Sequence, residues 1–446
     1  MSRTPPPETV ELVSFDGGIV ERCHRKRPDR YWMVEAENGS NPLIARGGGY
    51  SYAAASFGAR SLVLDMTRFD RLLGFDEETR VIAVEGGITL GDLLSITGPR
   101  NLILRVQPGY PGITVGGCIA AHVHGKNPFL EGTFTHLVES LTLFHPKYGS
   151  IEVERSAAPE PFELTCGGLG LTGVILSARL RLEPLAGFMV SIERSEIGNL
   201  SEALAAVRSM TEGSAFAYTW HDGVPRLGAF GRGFVYRGSI QAGTPFPTKG
   251  FSYRRHDAET RRKIPVSLLG GARARLLTSG FWIAERLKPR TIEIPLYEAM
   301  FPFARRFEYF LLYGRRGLAE YQAIVPHASI EAFLGELERR ILRARPDGVM
   351  VSMKLFRGEP RLLRFEKDGV CLTLDFARSS ATTKFFETLD EMCIEAGAIP
   401  NVIKDSRLPA AIVRKCYPGF EELRERLHAF DPERLFRSEL SERLGI

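Results

Sequence analysis

No apolar run in this chain of 446 residues reaches the roughly 18 residues needed to span a bilayer. The opening residues, MSRTPPPETVELVSF, hold no apolar core of the signal-peptide kind, which argues against export by that route. Six cysteines (Cys23, Cys118, Cys166, Cys371, Cys393 and Cys416) are scattered without a CxxC pair. That scatter argues against a zinc site or a disulfide framework and favours a reducing, cytoplasmic setting. Internal repeats and low-complexity tracts are also lacking. The net charge of +5 is mild, and no recognised binding motif goes with it, so nucleic acid is not an expected partner.

What is present is an ordinary soluble composition, 44% hydrophobic and 25% charged, in a chain too long for one core. To about Pro184 it reads as short strands ("SLVLDM", "VIAVEGG", "LVESLTLFH", "VILSARLRLEPL") joined by glycine-rich connections. "TLGDLLSIT" predicts a helix with Thr89 as its N-cap. Beyond Pro184 come longer strands and amphipathic helices such as "SEALAAVRSM" and "SIEAFLGELERRILRA". From about Pro400 a polar "NVIKDSR" precedes helical stretches ending in "DPERLFRSELSERLGI". The pattern predicts an α+β protein with a nucleotide-binding part over 1–185, a substrate part over 186–399, and a tail over 400–446 that returns to the first.

Charge is uneven. Between Phe251 and Arg290 stand Arg254, Arg255, Arg261, Arg262, Lys263, Arg273, Arg275, Arg286, Lys288 and Arg290, interleaved with apolar residues. Two readings stay open: a solvated helix face over a core, or a surface that meets anionic lipid headgroups or a phosphate-bearing substrate.

Three glycine-rich segments carry the chemistry. "ARGGGYSY" is not a phosphate loop of the GK[ST] kind, and it does not open a helix as a dinucleotide fingerprint would. Alone it is a tight turn, or a nest of backbone N–H groups for an anion with the Ser51 hydroxyl beside it. "VQPGYPGITVGGCIAAHVHGKN" and "TCGGLGLTGVI" add two more stretches poor in large side chains. Segments of this kind at wide spacing suit one extended, flat ligand that has both a pyrophosphate and a planar ring. A flavin dinucleotide meets that description. His122 and His124 stand two apart, as a metal pair on a strand would, but no third ligand segment accompanies them and no metal is expected.

"ARGGGYSY", "LDMTRFDRL", "PGYPGITVGGCIAAHVHGKN" and "GGLGLTG", in this order, resemble the FAD-dependent oxidases of the vanillyl-alcohol oxidase (PCMH-type) fold. "HGKN", "EYQAIVP", "MKLF", "KDSR" and the ending "YPGFEEL…DPERLFRSELSERL" resemble, within that fold, the decaprenylphosphoryl-ribose 2-oxidase family. The resemblance implies a two-part FAD-binding domain and a substrate domain with an antiparallel sheet flanked by helices. It also implies a FAD diphosphate held by Arg46, Gly47, Gly48, Gly49 and Ser51. Tyr52 would border the flavin. Gly109, Thr114, Gly116, Gly117, Ala120, His124 and Gly125 would form the second cofactor segment, and Gly170 and Ile175 the third. Many relatives bind flavin covalently through a histidine where this chain has Tyr50, so the resemblance implies non-covalent FAD.

For catalysis the resemblance points to Lys404, Tyr52 and His124, although a hydrogen-bonded structural role for His124 stays open. Lys404 has two possible roles: an ammonium that stabilises charge on the reduced flavin, or a desolvated neutral base. Glu320, Gln322, Lys354, Phe356, Thr373 and Lys404 would contact substrate. The family has glutamine at the position of Glu320, which leaves the sugar open, and a reactive cysteine at that of Thr373, which implies resistance to thiol-trapping inhibitors. The activity implied is oxidation of the 2-hydroxyl of a polyprenyl-phosphate ribofuranose to a ketone, the first half of an epimerisation that a partner reductase completes. Contact with the inner face of a membrane would follow. A soluble-sugar or aldonolactone oxidase, and a non-catalytic flavin- or lipid-binding module, are the alternatives.

Overall fold

The computed structural model describes residues 6–209, 214–247, 265–302, 304 and 308–446. Arg254, Arg255, Arg261, Arg262 and Lys263 of the basic stretch lie outside the described residues. Strands β1 (Glu8–Val13), β2 (Val20–Lys26), β3 (Leu43–Arg46) and β4 (Leu62–Asp65) form one sheet in the order β1-β2-β4-β3, with β3 and β4 parallel. Strands β5 (Leu72–Asp76) and β6 (Val81–Glu85) open the next sheet; the short β7 (Leu102–Ile103) stays outside it. With β8 (Val138–His145), β9 (Gly149–Glu154) and β10 (Val174–Arg181), they make an antiparallel sheet in the order β5-β6-β10-β8-β9. β7 pairs instead with β11 (Glu183–Pro184). The four strand-like runs named above supply β4, β6, β8 and β10. The helix Leu90–Thr97 begins where the Thr89 side chain accepts the N–H of Asp92.

The second part is one large sheet. β12 (Met189–Ile197), β13 (Phe216–Asp222), β14 (Gly233–Gln241), β15 (Thr291–Pro295), β16 (Leu318–Val325), β17 (Gly348–Phe356), β18 (Gly369–Ala377) and β19 (Ile399–Pro400) pair in the order β15-β12-β14-β13-β17-β18-β16-β19. Helices Ile330–Ala344 and Ser380–Ala396 cover one face. Phe333, Leu337 and Ile341 share a buried cluster there with Phe385, Phe386, Leu372, Leu374 and Phe376. Successive strand residues point to opposite faces, so Glu320, Gln322, Ser352, Lys354, Thr373 and Asp375 face the other way. That polar face is turned toward the glycine-rich loops of the first part.

The tail stitches the two parts together. The N–H groups of Tyr52 and Ala53 both donate to the Ile403 carbonyl, and the N–H of Glu439 donates to that of Phe57. Phe436 bridges Leu43 in parallel. The tail is helical over Ala410–Cys416, Phe420–Phe430 and Glu439–Leu444, so within the closing "DPERLFRSELSERLGI" helix covers only the last part, while residues 435–437 run beside β3. All six cysteines are free and buried. No helix among the described residues is long and apolar enough to cross a membrane.

Candidate active site

A cavity of about 1050 Å³ lies between the glycine-rich loops and the polar face of the large sheet, at the upper end of small-molecule sites. Its wall includes Arg46, Gly47, Gly48, Gly49, Ser51, Tyr52, Gly109, Thr114, Gly116, Gly117, Ala120, His124, Gly125, Gly170 and Ile175. Glu320, Gln322, Lys354, Thr373 and Lys404 line the opposite side. Phe356 does not reach the wall. It is fully buried, edge-on to the His124 ring at 4.9 Å between centroids, and so supports that histidine rather than touching substrate.

The glycines decide whether a flat dinucleotide fits. A Cβ on Gly47 would fall 2.1 Å from Thr114 Oγ1, and one on Gly48 would fall 2.6 Å from the Gly112 carbonyl oxygen. The first loop is therefore pressed against the second, and the surface both present is main chain. Gly86, in a stretch read from sequence as plain strand, joins this wall. Arg46 is buried and donates to Ser56 Oγ at 3.0 Å. Ser51 departs from expectation: its hydroxyl donates to the Ala53 carbonyl at 2.6 Å, so it braces its own loop. A bare, compressed backbone fits FAD, which these residues would hold.

The sheet side is a grid of side chains set by strand register. Across β18 and β16, Asp375 stands opposite Glu320 and Thr373 opposite Gln322; on β17, Ser352 faces Thr373 and Lys354 faces Cys371. Gln322 donates to Thr373 Oγ1 at 2.9 Å and accepts from Asn401 Nδ2 at 2.6 Å. The turn from Asn401 to Lys404 is thus tied to β16 on one side and to Tyr52 on the other. Lys404 emerges at this seam. Its ammonium lies 3.9 Å from the centre of the Tyr52 ring and 3.3 Å from Glu320 Oε1.

Electrostatics separate the basic groups. Burial, followed by the charge of Lys354, holds His124 well below the usual histidine range, so its ring is neutral at pH 7. Burial and then the charge of Lys404 pull Lys354 down. Lys126, over the Tyr218 ring at 5.1 Å, is lowered to about 7, mainly by burial and further by Lys354. The neighbouring His122 has both ring nitrogens occupied, by Glu366 at 2.9 Å and Thr135 at 3.0 Å. It pins the second glycine segment to the loop after β17. Cys371 shares the face of Thr373 but is buried, and burial pushes its thiol up to about 12.

Two wall residues, Asp375 and Tyr309, have no clear signal in the sequence. The "LTLDF" run containing Asp375 reads as an ordinary strand, and only the register with β16 brings its carboxyl beside Glu320.

With the geometry in view, comparison with known proteins fixes the cofactor side. Residues 32–152 match the family described as FAD binding domain. This segment is an FAD-binding domain, of the PCMH type. Over its whole length the chain is 28% identical to decaprenylphosphoryl-beta-D-ribose oxidase of Mycolicibacterium smegmatis, spanning 96% of that protein. It is 28% identical to the mitochondrial L-galactono-1,4-lactone dehydrogenase of Arabidopsis thaliana over 44% of this chain and 33% of that one. With the D-lactate dehydrogenase of Anaerostipes hadrus it shares 26% identity over 45% of this chain and 41% of that one.

Proposed function

We propose that the protein is an FAD-dependent oxidoreductase that oxidises a secondary hydroxyl of a sugar, the 2-hydroxyl of a polyprenyl-phosphate-linked ribofuranose, to a ketone. The observation that carries the reading is the seam at Lys404, where the grid of polar side chains meets the glycine-lined wall. Bound FAD, held non-covalently beside Tyr50, supplies the two-electron acceptor. The chain's own side chains do the rest. Gln322, Thr373 and the neutral His124 offer hydrogen bonds that orient a hydroxylated ring. Lys404 places a fixed positive charge where negative charge gathers as a hydride is lost from the sugar. Tyr52 shields that ammonium from water on one side.

A lipid carrier is supported by the rest of the cavity. The wall continues past Tyr218 and Trp220 to Phe281, Ile292 and Ile294. The helix Gly271–Arg286 on this arm exposes Leu276 at 76% and Ile283 at 52%, with Leu287 just beyond it at 81%. Arg273 and Arg275 stand exposed on the same helix. Apolar residues among cations suit the inner face of an anionic membrane and a phosphate-bearing, lipid-tailed substrate. A partner reductase would consume the ketone.

The second reading, oxidation of a soluble sugar or lactone, is favoured by the Glu320 carboxylate and by the partial likeness to a lactone dehydrogenase. Anaerobic flavin bleaching by a polyprenyl-phosphate ribose, set against free pentoses and aldonolactones, separates the two. Bleaching by the lipid-linked sugar at least tenfold faster supports the first. Faster bleaching by a lactone overturns it.

A further inference from the structure

Glu320 and Asp375 stand directly opposite each other on β16 and β18, and both are nearly buried, at 6% and 3% exposure. Carboxyls paired across a sheet in this way sit within about 5.5 Å at their Cβ atoms. Asp375 Oδ2 accepts from the Tyr309 hydroxyl at 2.7 Å, and that hydroxyl is also 2.6 Å from the Tyr313 hydroxyl. Its other oxygen, Oδ1, is buried with no hydrogen-bond partner among the described residues, and so is Glu320 Oε1. Lys404 comes within 3.3 Å of Glu320 Oε1 but does not line up as a hydrogen-bond donor.

The groups facing the pair can be named from each neighbouring element. They are Lys404 from the tail, Lys354 from β17, Thr373 and Cys371 from β18, Tyr309 from helix Glu308–Leu311 and Tyr313 just after it. Lys404 is the cation in contact, and there are two carboxyls. Two like charges at this separation, away from water and with one contacting counterion, do not both ionise. Asp375 Oδ1 has no hydrogen-bond partner while Glu320 Oε1 has the Lys404 ion pair, so a proton on Asp375 gives its unbonded oxygen a bond to donate and leaves the charge on Glu320.

We infer that Glu320 and Asp375 share one proton, borne on Asp375, and that the Glu320 carboxylate thereby held ionised beside Lys404 accepts the hydroxyl proton of the substrate. Burial, and next the charge of Glu320, raise the Asp375 carboxyl from its ordinary range, in keeping with the geometry. The inference rests on the proposed alcohol oxidation. There the substrate O–H bond breaks and its proton bonds to Glu320. The carbinol C–H bond yields its hydrogen and electron pair to the bound flavin, and the C–O bond becomes a carbonyl. The pair passes from one negative charge to none, and Lys404 is left as the uncompensated cation beside the flavin side of the cavity. Glu320 is the catalytic residue in this account and Asp375 a positioning residue.

The test uses the flavin-loaded protein and two readouts. In infrared difference spectra at pH 7 without substrate, wild type minus D375N is expected to show a protonated-carboxyl band, beyond the one that buried Glu131, pushed up to about 8, gives in both proteins. In single-turnover flavin reduction, E320Q is expected to be slower by about 10²- to 10⁴-fold. D375N, whose amide imitates the protonated acid, should stay within about tenfold of wild type. Retained yellow colour and melting temperature show that each variant folds. A wild-type minus D375N spectrum without the band, or an E320Q variant reducing at the wild-type rate, overturns the proposal. A band with this pattern in a protein whose flavin no alcohol bleaches supports the shared proton and sinks the sugar-oxidation reading instead.

Discussion

On the side of Gly47–Gly49, Gly116 and Gly170 the cavity wall is main chain, while on the side of β16, β17 and β18 it is side chains spaced two residues apart. The first wall is defined by what it excludes. A single Cβ at Gly48 meets the Gly112 carbonyl and the Tyr50 ring, neither of which can easily move. The second wall is defined by what it presents: carboxyls, amides and amines whose identity can change without a steric clash. Damage to the backbone wall should therefore cost the cofactor, and damage to the grid should cost rate or specificity while the colour stays.

The largest effect expected is at Gly48. G48A should weaken FAD binding at least 100-fold, about 3 kcal/mol, giving a colourless protein in a fluorescence titration that saturates the wild type. An alanine variant that keeps its flavin would break the comparison at its strongest point. K404A comes next. Removing a charge aimed at the reacting centre typically costs 10²- to 10³-fold. Flavin reduction should slow by that factor with the visible spectrum retained, and loss of colour instead would place Lys404 on the cofactor wall.

The two walls also differ in how far they could be read from sequence. Glycine clusters announce themselves, because the only reason to spend so much backbone freedom is close approach. Strands β4, β6, β8 and β10 and the helices at 200–208 and 330–344 follow from apolar periodicity. The grid depends instead on register between strands about 50 residues apart, as with Glu320 and Asp375, and local patterns do not encode it. Asp375 and Tyr309 stayed hidden for that reason. Phe356 was placed on the wall for a related one. Its residue type suits a pocket, but it lies one layer behind.

A smaller effect distinguishes the cations of the grid by pH. Lys126, with a folded pKa of about 7, lies below its ordinary value of about 10.4. Between these values the unfolded chain binds more protons than the folded one, so this group's contribution to stability rises with pH across that window. An anionic ligand reverses the balance by favouring the ammonium. Binding of a sugar phosphate at pH 8 should take up a proton, read as a calorimetric enthalpy that changes with the buffer's ionisation heat. Affinity should fall by up to about sixfold from pH 7 to pH 8, and an enthalpy independent of buffer would remove Lys126 from the site.

The smallest effect is expected at Thr373, where the grid should tolerate a change of chemistry. Its hydroxyl accepts from Gln322, a bond worth about 1 kcal/mol, and a cysteine thiol fits the same space as a poorer acceptor. T373C should therefore raise KM about fivefold with kcat nearly unchanged. The variant also asks whether the wall is open to reagents. The native cysteines are all buried, and the nearest, Cys371, has its thiol pushed up to about 12, so the wild type should resist thiol labelling. T373C should take up one equivalent, faster in the flavin-free protein than with FAD bound. Equal labelling of wild type and variant would mean that Cys371, not position 373, faces the cavity, and the grid would then be out of register by one pair.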